Sequence, residues 1–317
     1  MKEHTMKAIR FHEYGGPGVL RLDEVDLPTP DAGQVRVRVA ATSFNGVDGN
    51  IRAGRMQGPM PMDLPHVPGL DVAGVVDALG EGVDTLRAGD AVIGFLPFGD
   101  DGATAEYVVV AADGLAPAPT TIPLGDAAAL PVVGLTAWQA LFEHADLRAG
   151  QRILVNGASG AVGGYAVQLA KAAGAHVIAT AGPRTRGRVE KQGADVVIDH
   201  TAEDLPAAIH EPVDVLLNLA PITPEQLTAL VAVVADGGVI VNTTVWMPAP
   251  SDEARGVRGI DLFVRSDATQ LAGLAERVDR GELTVDIAER VPMTDLASVH
   301  ARAERGALDG KVIVLPA

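Results

Sequence analysis

Short apolar runs alternate with amphipathic stretches through the second half of the chain. An alanine-rich stretch follows the first run, and its apolar residues recur every three or four positions, which predicts a helix ending near Gly174. Alternating strands and helices predict a parallel, doubly wound α/β sheet with right-handed crossovers. The runs that predict its strands fall at 152–156, 176–179, 196–198, 214–219 and 238–242.

The first 125 residues have a different pattern, in which strand-like segments follow one another without long helices between them. At 34–41 valine alternates with arginine, which is typical of a strand with one buried face. The tail, 263–317, loses the regular alternation. We therefore predict a β-rich domain over residues 1–125 that is completed by 263–317, with a Rossmann-type dinucleotide-binding domain at 126–262 inserted between them.

The composition narrows the classes of partner. The 317-residue chain carries a formal net charge of −16, so we expect it to bind neither nucleic acid nor anionic membrane. The absence of cysteine excludes disulfides and thiolate metal ligands. The sequence has no signal-peptide pattern and no apolar stretch of membrane-spanning length, which predicts a cytoplasmic protein.

A glycine-rich turn, Gly157-Ala158-Ser159-Gly160-Ala161-Val162-Gly163, joins the first of these strands to the predicted helix. A glycine at 160 lets a pyrophosphate approach the backbone, and one at 163 lets the helix pack closely on the strand. The free N–H groups at the helix start attract phosphate. The turn therefore predicts a dinucleotide site, with contacts from Ser159, Gly160, Ala161, Val162 and Gly163. The alternative is a packing turn without a ligand.

The end of the second predicted strand bears on the choice of nicotinamide cofactor. An acidic residue there would bind the ribose hydroxyls of NADH, but the strand ends at Thr180-Ala181-Gly182 and arginines follow at 184, 186 and 188. A guanidinium group binds a 2′-phosphate through two parallel hydrogen bonds. We therefore predict NADPH, with contacts from Thr180, Arg184 and Arg186. The alternative is that the arginines form only a solvated helix start.

Several motifs span nearly the whole chain, and they read Glu13-Tyr14-Gly15-Gly16-Pro17, Asn45-x-x-Asp48, Pro68-Gly69-x-Asp71, Gly134-Leu135-Thr136-Ala137-Trp138, the glycine turn, Gly193-Ala194-Asp195 and Gly310-Lys311. Together they resemble the medium-chain dehydrogenase/reductase superfamily, and within it the zinc-free quinone oxidoreductases that include the zeta-crystallins. This resemblance implies a GroES-like catalytic domain beside the Rossmann domain, a nicotinamide-dependent reductase and a homodimer.

The resemblance also implies roles for residues outside the glycine turn. Asn45 and Asp48 are expected at the nicotinamide as catalytic residues. Asn45 would donate its amide to the acceptor carbonyl or order a water, and Asp48 would orient its neighbours unless burial raises its pKa. The other reading of this segment is a plain turn. Cofactor contacts are expected from Thr136 and Lys311. Two more are expected at departures from the family: His200 replaces a tyrosine and could instead be a surface histidine, and Asn218 begins Asn218-Leu219-Ala220-Pro221, where quinone oxidoreductases usually have an aspartate and a glycine.

The chain departs from the zinc-dependent relatives, because Asn45 or a neighbour stands where they have a cysteine and Leu70 stands where they have a histidine. His66 alone makes a poor zinc site. Without a Lewis acid, hydride is expected to pass to a small acceptor that is already electrophilic, a quinone or an enone, because its product anion is delocalised. The alternatives are an enoyl-thioester reductase of a biosynthetic pathway and a non-catalytic NADPH-binding protein.

Overall fold

The structure is a computed structural model that describes residues 4–58, 60–244 and 246–316. The chain forms two compact units: unit 1 consists of Met1–Val132 and Ser266–Ala317, and unit 2 of Val133–Arg265. The domain boundaries predicted from the sequence lie after residues 125 and 262, and the units change after residues 132 and 265.

The described residues contain fifteen strands. In chain order they are β1 (Thr5–Phe11), β2 (Leu20–Asp26), β3 (Gln34–Ser43), β4 (Asp71–Leu79), β5 (Ala91–Phe95), β6 (Tyr107–Ala111), β7 (Leu115–Pro117), β8 (Arg152–Asn156), β9 (His176–Thr180), β10 (Val196–Ile198), β11 (Val213–Asn218), β12 (Val234–Asn242), β13 (Arg258–Asp261), β14 (Glu289–Pro292) and β15 (Val312–Leu315).

The same parts of the chain contain eight α-helices. They are α1 (Gly46–Arg52), α2 (Pro131–Trp138), α3 (Ala161–Ala172), α4 (Arg186–Lys191), α5 (Leu205–Ala208), α6 (Pro224–Ala229), α7 (Ala268–Asp279) and α8 (Leu296–Glu304). A π-helix over Gln139–His144 continues α2, and short 3₁₀ helices lie at Pro17–Val19, Ala112–Gly114, Leu124–Ala129, Leu230–Val233 and Met293–Asp295.

Unit 1 is built on a mixed sheet in the order β14-β15-β3-β4-β5-β7, with β6 also paired to β3. The alternation in β3 has the expected result, since Val35, Val37 and Val39 are buried and Arg38 is exposed. These valines pack on apolar residues of β4 and β5. The C-terminal strand β15 pairs antiparallel with β3 and parallel with β14, so the tail lies in the same sheet as the first part of the chain.

Unit 2 is built on a parallel sheet in the order β10-β9-β8-β11-β12-β13. The strand order reverses direction beside β8, and ligands bind at such a point, outside the carboxyl ends of the strands. The predicted fold class, a β-rich domain with a doubly wound parallel sheet, is confirmed. None of the helices that the structure describes is both long and apolar enough to span a bilayer.

Candidate active site

The glycine turn between β8 and α3 has the close packing that its sequence predicts. A Cβ atom on Gly163 would lie 2.5 Å from the Cα atom of Ala158 and 2.5 Å from the carbonyl oxygen of Gly157. A Cβ atom on Gly160 would meet only the Gly157 carbonyl oxygen, at 3.4 Å. Gly163 is therefore required for helix–strand packing, whereas the space beside Gly160 is open to a ligand.

A pocket of about 520 Å³ opens beside this turn, within the size range of small-molecule sites. Four of the predicted cofactor residues line it: Ser159, Gly160, Thr180 and His200. Glu203 and Asp204 also line the pocket, and the rest of its wall is largely apolar, formed by Leu205, Pro206, Leu219, Ala220, Pro221, Ile222, Ala229 and Leu230.

The three arginines after β9 have different surroundings. Arg186 is exposed and pairs with Glu190 at 2.9 Å, one turn along α4. Arg188 donates a hydrogen bond of 2.6 Å to the carbonyl oxygen of Ser159 and so holds the glycine turn directly. Arg184 is exposed just before α4. The sequence predicts contacts of Arg184 and Arg186 with the cofactor, but it does not predict the hydrogen bond from Arg188 to the glycine turn.

The remaining predicted cofactor residues are not among those that line this pocket. Ala161 and Val162 form the first turn of α3, and Thr136 is buried in α2. Asn218 ends β11 with its side chain fully buried, where it donates to the carbonyl oxygen of Ala220 at 3.3 Å. Lys311 belongs to unit 1.

In unit 1 a buried carboxylate, Asp71 at the start of β4, organises a polar cluster. Its Oδ2 atom accepts hydrogen bonds from Asn45 Nδ2 at 2.8 Å, from Lys311 Nζ at 3.2 Å and from the Ser43 hydroxyl. Its Oδ1 atom accepts a hydrogen bond from the Val132 backbone N–H at 2.7 Å. The motif Pro68-Gly69-x-Asp71 contains this residue, but the sequence does not predict its central position in the cluster.

Lys311, for which the sequence predicts a cofactor contact, has three partners within the protein. Besides Asp71, its ammonium group donates to Asn45 Oδ1 at 2.6 Å and to the Phe44 carbonyl oxygen at 3.3 Å. An ammonium group has three donors, so these three acceptors occupy all of them. Asn45, which precedes α1, is thereby held at both ends of its amide, by Asp71 and by Lys311.

Asp48 lies in the first turn of α1 and is also buried. Its Oδ2 atom accepts a hydrogen bond of 2.7 Å from the Asn45 backbone N–H, and its Oδ1 atom has no hydrogen-bond partner among the described residues. Burial raises the pKa of Asp48 from its ordinary value of 3.8 to about 7, although the Asn45 N–H lowers it in part. Asp48 can therefore hold a proton close to neutral pH.

His300 of α8 borders the same small cavity as Asp48, together with Ser43, Phe44 and Thr104. Its ring packs edge-on against Phe44 at 4.8 Å between centroids, and neither ring nitrogen has a hydrogen-bond partner in the described ranges. Burial, with the positive charge of Arg52, lowers the pKa of His300 to about 3. His300 is therefore neutral at physiological pH.

We expect the pKa of Asp48 to be visible in the pH dependence of stability. Between pH 3.8 and about 7 the folded state binds more protons at Asp48 than the unfolded state, so this residue's contribution to stability falls as the pH rises. His300 acts in the opposite direction, but only between about 3 and 6.5. Between about pH 6 and pH 8, the free energy of unfolding of wild type should therefore fall by about 1 kcal/mol more than that of Asp48→Asn. Urea unfolding at the two pH values measures this difference.

Asparagine can still accept the Asn45 N–H, so the Asp48→Asn variant keeps the start of α1. Asp146→Asn, at an exposed carboxylate, is the control and should follow the wild-type pH dependence. Parallel pH dependences for wild type and Asp48→Asn would show that Asp48 does not titrate near neutrality.

Comparison with known proteins gives consistent assignments for both units. The protein-family model of the alcohol dehydrogenase GroES-like domain matches residues 31–120. The family model of zinc-binding dehydrogenases matches residues 192–314. The chloroplast envelope quinone oxidoreductase homolog of Arabidopsis thaliana is 42% identical over 207 residues, which cover 63% of this chain and 63% of that protein. The chain belongs to the quinone oxidoreductase branch of the medium-chain dehydrogenase/reductase superfamily.

Solved structures agree over the full chain. The quinone oxidoreductase from Coxiella burnetii has a TM-score of 0.90 and 29% identity, and the match covers 98% of this chain and 99% of that one. An NAD-dependent alcohol dehydrogenase has the same TM-score of 0.90 and 29% identity, with the same coverage of 98% and 99%. The curated relative, by contrast, is matched over less than two thirds of its length.

Proposed function

We propose that the chain is an NADPH-dependent oxidoreductase that transfers hydride to a quinone or an enone. The observation that carries this proposal is the glycine turn of unit 2, whose Gly160 is open to a pocket at the carboxyl ends of parallel strands. A nicotinamide cofactor is expected throughout the superfamily. The quinone oxidoreductases among its relatives support the acceptor class.

The residues beside the pocket fit a dinucleotide. The N–H groups at the start of α3, after Gly160, would hold the pyrophosphate, and the apolar wall that includes Leu205 and Ile222 would take the adenine ring. Arg184 and Arg186 would hold the 2′-phosphate. When bound, NADPH supplies the hydride.

We assign the acceptor end of the reaction to unit 1. Asn45 keeps one amide N–H on Asp71, and an amide group carries two, so the second can donate to the acceptor carbonyl. Hydride addition leaves a delocalised anion that requires a proton, and Asp48 can hold a proton near neutral pH. Asp71 and Lys311 would keep the Asn45 amide in one orientation.

The side chains at positions 66 and 70 do not form the zinc site of the dehydrogenase relatives. Leu70 is buried in the strand connection where a histidine would be required, and His66 lies 3.8 Å from Asp101 and packs edge-on against Phe11. In the described parts of the chain no three His, Asp or Glu side chains are placed to hold a metal ion. We therefore propose a reaction that requires no bound metal.

The direct test is the loss of NADPH absorbance with a panel of quinones, enones and enoyl thioesters. We expect oxidation with quinones or enones that a chelator does not affect. Turnover of enoyl thioesters alone would instead favour the alternative biosynthetic reductase, and tight NADPH binding without turnover would favour a binding protein. Activity that a chelator abolishes would contradict the metal-free mechanism.

Cofactor preference has its own test. Arg184→Ala or Arg186→Ala should weaken NADPH binding at least about tenfold and leave NADH binding nearly unchanged, because a charge-assisted hydrogen bond contributes about 1.5–3 kcal/mol. Titration calorimetry with both cofactors measures this, and Arg148→Ala, an exposed arginine paired with Asp146, is the control. Equal losses for the two cofactors would contradict the assignment to the 2′-phosphate.

We also propose a homodimer formed through unit 2. Strand β13 is an edge of the parallel sheet, and Trp246 and Phe263, which precede and follow it in the sequence, are 60% and 54% exposed. Such exposed aromatic residues are typical of interfaces. The cytoplasmic location stays a prediction.

A further inference from the structure

A row of polar side chains crosses unit 2 at the carboxyl ends of its strands. Asn218 of β11 is in register with Asn156 of β8 on one side and with Asn242 of β12 on the other, and Asn242 is in register with Asp261 of β13. Paired positions of a parallel sheet point to the same face, so these side chains are neighbours. Thr180, at the end of β9, extends the row towards the glycine turn.

The part of the row next to the glycine turn is continuous. The backbone N–H of Gly157 donates to Thr180 Oγ1 at 2.8 Å, and Thr180 Oγ1 donates to Asn156 Oδ1 at 3.0 Å. Asn156 Nδ2 then donates to Asn218 Oδ1 at 2.8 Å. In each of these hydrogen bonds, the donor is the group nearer the turn and the acceptor is the group farther from it.

The direction continues across the other strands. Asn218 Nδ2 donates to Asn242 Oδ1 at 2.9 Å, and Asn242 Nδ2 faces Asp261 Oδ1 at 3.4 Å. Asn242 Nδ2 also donates to the Met247 carbonyl oxygen at 2.6 Å. A carbonyl and a carboxylate can only accept, so they fix the orientation of Asn242, and each amide then fixes the next one.

The row is costly unless every member is paired. Asn156, Asn218 and Asn242 are buried, and a buried amide without a partner is strongly unfavourable. Aligned hydrogen bonds in a low dielectric strengthen one another. The row therefore has a single arrangement, and its last contact is the backbone of the turn that faces the pocket.

We propose that this row, the amide chain, positions the glycine turn for the cofactor pyrophosphate, which makes Asn218 and Asn242 positioning residues although neither borders the pocket. The proposal rests on the nucleotide-binding function proposed above. Thr180 connects the amide chain to the turn, because it accepts the hydrogen bond from the Gly157 N–H. Loss of any hydrogen bond in the chain should therefore make the position of the Gly157 N–H less well defined. It also gives Asn218 a role different from the predicted direct cofactor contact.

The test is a double-mutant cycle between Asn218 and Thr180. Asn218→Leu should weaken NADPH binding about tenfold, because two amide links are lost and the turn is no longer held. Thr180→Val should have a similar effect, and adding Asn218→Leu to it should cost little more, because the chain is already cut. Thr180→Ser keeps the hydroxyl group and should bind like wild type.

Gln139→Leu is the matched control. Gln139 is a buried amide of unit 2 with hydrogen bonds to the backbone of Arg265, outside the amide chain. It should lower stability and leave the NADPH dissociation constant unchanged. Fully additive effects of Asn218→Leu and Thr180→Val, or an unchanged dissociation constant in Asn218→Leu, would overturn the proposal.

Hydrogen exchange tests the amide chain without any cofactor. In Asn218→Leu, a peptide that contains Gly157 and Gly160 should exchange about tenfold faster than in wild type, while peptides from β3 should not change. Unchanged exchange at the turn would overturn the proposal. Failure of wild type to bind NADPH would instead overturn the proposed function. Hydrogen exchange at the turn would still show whether the amide chain positions it.

Discussion

Replacing Asp71 by asparagine is expected to lower the free energy of unfolding by about 3–5 kcal/mol, because it leaves a buried ammonium group without its counter-ion. Asp71 and Lys311 are both buried, and their charged atoms lie 3.2 Å apart. The asparagine keeps the volume of the side chain, so the loss measures the missing charge and the hydrogen bond that an amide NH₂ group cannot accept, rather than packing. Urea unfolding at neutral pH measures it.

Substituting the other partner, Lys311, and then both residues separates the interaction between the two charges from the effect of losing each side chain. Lys311→Met should also be strongly destabilising, because it leaves the Asp71 carboxylate unpaired. The double variant Asp71→Asn/Lys311→Met should lose at least about 1 kcal/mol less than the sum of the two single variants, since neither charge then remains. Strictly additive losses would show that the two charges do not interact.

Asp146→Asn is the control for this experiment. Asp146 pairs with Arg148 at 2.6 Å, but both side chains are more than two thirds exposed. Exposed pairs contribute about 0–1 kcal/mol, and asparagine tolerates the positive φ of 49° at this position. A loss as small in Asp71→Asn as in Asp146→Asn would contradict the role assigned to the buried pair.

The local patterns predicted most of the strands. The apolar runs at 152–156 and 196–198 coincide with β8 and β10, because buried parallel strands are continuous hydrophobic segments between turns. The short helix α1 was not predicted. Its sequence contains Gly46 and Gly49, which are poor helix formers, and the helix is stabilised instead by packing of Ile51 and by the contacts of Asp48 and Arg52.

The polar clusters could not be predicted from local patterns. Asp71 and Lys311 are 240 residues apart in sequence and meet because β15 pairs with β3, beside β4. The amide chain depends on the register between strands, which single apolar runs do not encode. One signal was present: Asn156, Asn218 and Asn242 each end an apolar run, and polar residues at that position face the ligand edge of a parallel sheet.

The three methionines of the segment after α1, Met56, Met60 and Met62, have a packing role. Met56 is buried against Phe11 and Ile51, and Met60 and Met62 pack on the same cluster. Unbranched side chains fill irregular gaps in a core, and the described residues of this segment serve that purpose.

Two substitutions in the glycine turn should separate folding from cofactor binding. Gly163→Ala is expected to lower the free energy of unfolding by about 3 kcal/mol, because the new methyl group would overlap backbone atoms that cannot move aside. Gly160→Ala should change stability by less than about 0.5 kcal/mol, since its φ of −78° and its space accept a methyl group. Denaturant unfolding of both variants measures this difference.

Cofactor affinity should show the opposite order for the two folded variants. Gly160→Ala should weaken NADPH binding at least about tenfold, because its methyl group would occupy the space through which a pyrophosphate approaches the backbone. Under conditions where Gly163→Ala is still folded, its methyl group lies between helix and strand and not in the pocket, so its affinity should fall less. If Gly160→Ala bound NADPH like wild type, the open space at Gly160 would not be the phosphate site, and the proposed function would lose the observation on which it depends.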